Sequence, residues 1–478
     1  MGIGPHLIEK ALVNGRWIGV SEQSISVLNP ATNETIGQIP HCDLASVDEA
    51  IDHAHRQWLI WKGCPPQQRC DVLRACFELC VQQEDRLAQI ITLEQGKPTA
   101  EALGEVRYGN SYLEWFAAEG KRCSGFSLPH PNPKNRIAVH KEPVGVVAAI
   151  TPWNFPYGMI TRKLGPAIAT GCPVILKPDP QTPFSALALA ELGLKAGLPA
   201  GAFQVIHGDA DHLGKRLCSD RRVRKISFTG STKVGSQLMA QCAPHIKRLS
   251  LELGGNAPFV VFEDADLEAA CDGLMVAKFR NSGQTCVSAN RIYVHEHVHE
   301  AFIKMLIPRL EKLKLGAGQD PSTTIGPLIN GKACEKVDRH IRLALESGAS
   351  CLLDGSQFPG NFRGPTLLKD VPHRSTFLDE ETFGPVAPIC SFSSEPEALE
   401  YANASHAGLV AYFYSENQRR CTRFAEQLDF GMVGINEGLI STAVAPFGGI
   451  KDSGMGREGS TVGLEDYLEM KYCCSSID

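Results

Sequence analysis

A chain of 478 residues, 43% hydrophobic and 21% charged, has the composition of a globular enzyme and is too long for one core, so two or three domains are expected. Its formal net charge of −6 excludes the basic footprint that nucleic-acid binding needs. The longest apolar runs, such as "VGVVAAI" at 144–150, are strand-length and too short for a membrane span.

The opening "MGIGPHLIEK" lacks the basic-then-apolar pattern of a secretory leader, and His6 stands where myristoylation needs Ser or Thr. No cysteine lies four residues from the end, which excludes prenylation. The seventeen cysteines are odd in number and form no paired framework, so a reducing cytoplasm is expected. Cys64, Cys70, Cys76 and Cys80 follow a helical pattern without metal-ligand spacing and read as structural thiols.

From about 42 to 120 the apolar residues recur three and four apart, which predicts helices. After about 143 the pattern changes. The runs "GVVAAI", "CPVILKP", "FQVIHG", "KISFTGS" and "LSLELGG" alternate with helical segments such as "FSALALAELGLKAG", predicting a parallel, doubly wound α/β sheet. A second alternating region begins near 257 and runs to about 435, with strand candidates "RIYVHE", "CLLDG" and "VAPIC". The stretch 135–145 reads as an extended arm, and "GLEDYLEMKYCC" near the end as a segment able to pair with another. The expected division is 1–117 with 143–251, then 252–440, with an arm from 118–142 and 461–478. A cleft between two such α/β units is the expected place for chemistry.

Two motif matches fail on context. "HEHVH" at 295–299 has the spacing of a zinc-protease helix, but His295 follows the strand pattern "NRIYV", so the two histidines straddle a strand–helix junction. "GMGREG" at 454–459 matches a dinucleotide fingerprint, yet a glycine-rich loop precedes it where a strand is required.

The chemistry-bearing set lies elsewhere. Cys286 sits in a polar run, Asn281, Ser282, Gly283, Gln284 and Thr285, unlike its mostly apolar-flanked counterparts. A cysteine nucleophile needs a donor for the oxyanion it creates and a base for the second half-reaction. Asn154 follows the first strand of the doubly wound sheet, where its amide can donate to an oxyanion. Glu252 ends the fifth strand pattern between apolar neighbours, where desolvation raises its proton affinity toward that of a useful base.

"TPWNFP", "SFTGSTKVG", "LELGGNAP", "GQTC", "EETFGP" and "PFGGIKDSG" occur in an order that resembles the aldehyde dehydrogenase superfamily over essentially the whole chain. The resemblance implies a Rossmann-type cofactor domain (1–117 and 143–251), a catalytic domain (252–440) and an oligomerisation arm building a homodimer or homotetramer. It also implies Cys286 as nucleophile, Asn154 as oxyanion donor and Glu252 as base. "MITRK", "KFRNSGQTC" and "GLISTAVAPFGG" resemble the succinate-semialdehyde dehydrogenases and their glutarate-semialdehyde relatives. That likeness implies a clamp for the substrate's distal carboxylate at Arg162, Arg280 and Ser441, which suits a planar guanidinium.

For the dinucleotide, the resemblance implies Trp153, Lys177, Gly230, Ser231, Gly235, Glu381 and Phe383. "GSTKVG" at 230–235 follows a strand and opens a helix, a place for pyrophosphate. Relatives restricted to NAD carry Glu three residues after this lysine; Pro180 stands there, so NADP is the expected preference, with Asp179 able to retain some NAD use. Ser288 replaces a cysteine that some relatives pair with the nucleophile. A disulfide within this loop after peroxide treatment, sought by peptide mass mapping, is therefore not expected. A CoA-acylating relative, a broad-specificity oxidiser and a non-catalytic homologue are the competing readings. The presence of Glu252 favours hydrolysis over transfer to CoA. Chain length of the semialdehyde, four or five carbons, stays open.

Overall fold

A computed structural model describes residues 6–20 and 23–477. The leader and acylation readings rest on residues 1–5 in part, which lie outside that set.

Five parallel strands form the middle of an eight-stranded sheet. Val146–Ile150 is central, with Val174–Lys177 and then Phe203–Val205 on one side, and Val223–Thr229 and then Arg248–Glu252 on the other. These are the five runs read as strands from sequence. Alternate side chains leave by opposite faces. Val147, Ala149, Val174, Leu176 and Val205 pack against helices Pro66–Gln82, Thr99–Glu119, Gly158–Thr170 and Phe184–Lys195. Val146, Ala148, Ile175, Ile226 and Phe228 pack against helices Leu44–Trp61, Ala210–Ser219 and Thr232–Cys242. Burial on both faces explains why these strands read as continuous apolar runs. Cys70, Cys76 and Cys80 are part of the first of these cores.

The chain winds outward both ways from Val146–Ile150, so the switch point lies beyond that strand's carboxyl end, where ligands of doubly wound sheets bind. The edges are antiparallel: the hairpin Lys10–Val13 with Arg16–Gly19 closes one, and Gly454–Met455 closes the other against Leu251 and Glu252. The second edge falls in "GMGREG", the match rejected above because a glycine-rich loop precedes it. Only glycine fits at 454, with φ +120° and an added Cβ 1.8 Å from the Leu251 carbonyl oxygen.

The second sheet has seven strands. Ala257–Val261 is flanked in turn by Ala289–His295, Val386–Phe392 and Thr366–Lys369 on one side, and by Val410–Tyr414 and Met432–Ile435 on the other, all parallel. Ser350–Leu353 adds an antiparallel edge. His295 ends its strand and His299 opens the helix His299–Glu311, so "HEHVH" offers no shared helical face. A third sheet joins Leu468–Ser476 to Asn135–Pro143 and Phe126–Leu128, all antiparallel. Among the described residues no helix is long and apolar enough to cross a membrane.

Candidate active site

A cavity of about 700 Å³ opens between the carboxyl ends of the first sheet's central strands and the amino ends of Ala257–Val261, Ala289–His295 and Val386–Phe392 in the second. It is lined by Trp153, Asn154, Arg162, Gly230, Ser231, Glu252 and Arg280, and by Cys286, Glu381, Phe383 and Ser441. Eleven positions drawn from six separate stretches of sequence thus converge on one space. Lys177, Asp179, Pro180 and Gly235 do not line it. The first three follow the carboxyl end of Val174–Lys177. Gly235 lies inside the helix Thr232–Cys242, where an added Cβ would come within 2.4 Å of Leu253, so this structure gives it a packing task.

Cys286 ends a segment under strain. The helix Leu267–Leu274 widens into a π-turn at Met275–Phe279, and Asn281, Ser282 and Gly283 then take φ of 52°, 56° and 74°. Successive left-handed residues cost roughly 1–3 kcal/mol each for the non-glycines and persist only where the surroundings over-determine them. They do here. Asn281 N donates to Glu101 Oε2 at 2.8 Å, Asn281 Nδ2 to the Asn154 carbonyl at 2.9 Å, and Ser282 Oγ to the Gly326 carbonyl at 2.8 Å.

The Cys286 thiol is partly exposed to the cavity. Burial pushes its pKa up to about 12, with Arg162 and Arg280 pulling it down and Glu381 and Glu252 pushing it up. The resting group is therefore a thiol, and deprotonation must accompany attack.

Asn154 Nδ2 donates one hydrogen to the Gln284 carbonyl at 3.0 Å, two residues before the cysteine. Its second hydrogen is left for an oxyanion. Glu252 is 3% exposed and neither carboxylate oxygen has a hydrogen-bond partner. Burial first, and then the nearby Glu458 carboxylate, hold its pKa well above the ordinary range, against Arg162, Lys163 and Arg457.

Arg162 is not free. Its Nε donates to Glu458 Oε2 at 2.5 Å, Lys163 Nζ donates to Glu458 Oε1 at 2.6 Å, and the guanidinium lies 3.9 Å from the Phe447 ring centroid. Nη2 remains buried without a partner, as does Nε of Arg280. Two arginines that line the cavity, as Ser441 does, thus each keep one buried N–H group without a partner. Gly230 and Ser231, which also line it, meet the first turn of Thr232–Cys242, with Ser231 as its N-cap. The Thr229 hydroxyl there is buried without a partner. Glu381 is held up to about 7 by burial and accepts from Gly255 N at 3.2 Å. Phe383, at φ 56°, sets its ring edge-on to Trp153 with centroids 5.5 Å apart. Orphan donors, a helix N-terminus and two aromatic walls fit a dinucleotide.

The aldehyde dehydrogenase family model matches residues 17–473. The chain belongs to the aldehyde dehydrogenase family. It is 52% identical over 470 residues to a glutarate-semialdehyde dehydrogenase of Pseudomonas putida, covering 98% of both chains. It is 52% identical over 472 residues to a succinate-semialdehyde dehydrogenase [NADP(+)] of Escherichia coli, again with 98% of each covered. The crystal structure of a succinate-semialdehyde dehydrogenase from Burkholderia pseudomallei superposes with a TM-score of 0.97, at 50% identity and 98% coverage of each chain.

Sequence reading of this family member missed Lys97, Tyr108, Phe447 and Glu458. Glu458 lay in plain view within "GMGREG", where only glycine spacing was weighed. Tyr108 and Lys97 sit in the helical first third, where nothing local separates a cavity-lining residue from a core one.

Proposed function

We propose that the protein oxidises a short ω-carboxy semialdehyde, succinate semialdehyde or its five-carbon homologue, to the dicarboxylic acid. The observation that carries this reading is the pair of unmatched guanidinium donors, Arg162 Nη2 and Arg280 Nε, on the cavity that holds Cys286. A distal carboxylate would satisfy both.

Cys286 gives its thiol proton to water in the cavity as its sulfur attacks the aldehyde carbon, and Asn154 Nδ2 with the cysteine's own N–H receives the oxyanion of the thiohemiacetal. Trp153, Gly230, Ser231, Glu381 and Phe383 would hold a nicotinamide dinucleotide, which would supply the hydride acceptor needed to convert the thiohemiacetal to a thioester on Cys286. Glu252 takes a proton from water, which attacks the thioester carbon, and Cys286 leaves as thiolate. The acid is released.

Absorbance at 340 nm with succinate semialdehyde, glutarate semialdehyde and butanal tests the reading. A large kcat/KM advantage for the two acids is expected; equal rates with butanal would leave the arginines structural. Arg280→Met should lower kcat/KM for the acids on the order of 10–100-fold, as loss of a charge-assisted hydrogen bond of about 1.5–3 kcal/mol implies, and leave butanal nearly unchanged. The two acids differ by one methylene, worth about 1–3 kcal/mol, and their ratio names the substrate.

NADP is the favoured cofactor. Pro180 presents no carboxylate to a ribose, and Asp179 Oδ1 is engaged by Gln181 N at 2.9 Å and Gln181 Nε2 at 3.3 Å, which supports a 2′-phosphate meeting Lys177. Pro180→Glu should move the kcat/KM ratio of NADP to NAD toward NAD by about tenfold or more, one charge repulsion of about 1.4 kcal/mol; an unchanged ratio would place 2′-phosphate selection elsewhere. Oligomerisation through the exposed strands Phe126–Leu128 and Leu468–Ser476, and residence in the cytoplasm, complete the proposal.

A further inference from the structure

One buried ion pair has no place in the chemistry above. Lys97 and Glu105 have side chains 1% and 0% exposed and meet at 2.6 Å. Lys97 follows Gly96, which ends the helix Glu84–Gln95 at φ 93°, and Glu105 lies on the helix Thr99–Glu119. Their partners are the interest. Lys97 Nζ also donates to the carbonyl of Asn154 at 2.8 Å, and the ammonium sits 3.9 Å from the Phe155 ring centroid. Glu105 Oε1 accepts from Tyr157 N at 2.9 Å and Gly158 N at 3.1 Å, at the start of the helix that carries Arg162. One turn before Glu105 on the same helix, Glu101 accepts from Asn281 N at the start of the nucleophile loop.

The geometry points to Lys97 as a positioning residue for the oxyanion donor, acting through the main chain of Asn154. This inference rests on the oxyanion role proposed for that asparagine. Lys97 lines the cavity beside Arg280, which would also suit a third cation for a substrate carboxylate. The ammonium is already spoken for: Glu105 takes one N–H, the Asn154 carbonyl a second, and the Phe155 ring faces the third. No donor is left for substrate, so the group fixes position instead. Asn154 is held at both ends. Its carbonyl lies between Lys97 Nζ and Asn281 Nδ2, and its Nδ2 is tied to the Gln284 carbonyl. A side-chain amide so restrained keeps its second N–H aimed at a fixed point near Cys286, and fixed donors stabilise developing charge without reorganising. Releasing the carbonyl lets that amide drift by the fraction of an ångström that matters at a reacting centre.

The test is a double-mutant cycle on kcat, with Kd for NADP and KM for succinate semialdehyde measured in parallel. Asn154→Ala should lower kcat by about 100-fold or more, the cost of one oxyanion donor. Lys97→Met should lower kcat by about 10–100-fold with KM and Kd within about twofold, and the double variant should be no slower than Asn154→Ala alone. Lys97→Met/Glu105→Gln removes both charges and serves if the single variant leaves Glu105 unpaired and fails to fold. Multiplying effects in the double variant, or an unchanged kcat without Lys97, would overturn the positioning role while leaving the oxyanion reading intact. An unchanged kcat in Asn154→Ala would overturn the oxyanion reading, and this inference with it.

Discussion

Replacing Glu252 with glutamine should leave an enzyme that reduces about one equivalent of dinucleotide per site and then stalls. Its steady-state rate should fall by roughly 10²–10⁴-fold, the range for loss of a general base. Acyl transfer to Cys286 asks little of Glu252, whereas hydrolysis of the thioester asks it to take a proton from water. Intact-mass spectrometry of the stalled protein should therefore show the acyl group on the chain. A slow rate with no burst would place Glu252 in the first half-reaction, as the group that takes the thiol's proton. The pH dependence has a definite sign. Burial and the Glu458 carboxylate raise the pKa of Glu252, so the acid limb of kcat should lie above the ordinary carboxylate range. Stability follows the opposite course. A carboxyl whose pKa is raised on folding contributes fully below its unfolded value, and the contribution is lost as pH rises through the folded one. Glu252→Gln should thus gain thermal midpoint relative to the parent as pH is raised, an effect that needs no substrate to measure.

How far the sequence exposed this machinery depends on the range of each interaction. The five central strands of the first sheet were legible because each is a run of apolar residues buried on both faces, and the turn "GSTKVG" because strand, glycine and helix follow one another directly. Cys286 stood out by its polar neighbours. Asn154 and Glu252 were placed by their positions at strand ends, a rule that holds for any doubly wound sheet. Arg162, Arg280 and Ser441 were named from family resemblance and line the cavity, but the ion pair of Arg162 reaches across 296 positions to Glu458, and no local period records a contact of that kind. Lys97 and Asn154 are 57 positions apart and meet for the same reason. The edge strand Gly454–Met455 was lost because two residues show no alternation, and its glycines suggested a flexible or tightly turned backbone rather than a strand. Local pattern thus yields elements and strand-end residues; the groups that hold them in register are set by tertiary pairing.

Glu458 is where that pairing concentrates, and its removal should be the most destabilising single change in the site. Two cations, Arg162 and Lys163, are 2% and 1% exposed and share this one carboxylate, itself 3% exposed. Burial pushes the Glu458 pKa up, but Arg162 and then Lys163 together outweigh it and hold the group below its usual value, so the carboxylate is ionised. Glu458→Ala would leave both cations buried without their counter-ion, which costs about 3–5 kcal/mol when a buried pair is broken from one side. A thermal midpoint lowered by several degrees is expected, with Glu458→Gln intermediate because its amide oxygen can still accept from one cation. A midpoint equal to the parent's would show that the two cations find other acceptors. Activity should fall by a separate route. The Glu458 carboxylate now disfavours ionisation of Glu252; without it, only burial opposes the pull of Arg162 and Lys163 on that carboxylate. The Glu252 pKa should drop and the acid limb of kcat move to lower pH, while the base itself becomes weaker and more firmly held. Turnover at high pH should then be slower than in the parent even where Glu252 is fully ionised in both. The carboxylate of Glu458 therefore does two things that no local reading of its sequence discloses: it holds the Arg162 guanidinium in place on the cavity, and it opposes that cation's pull on the Glu252 carboxylate.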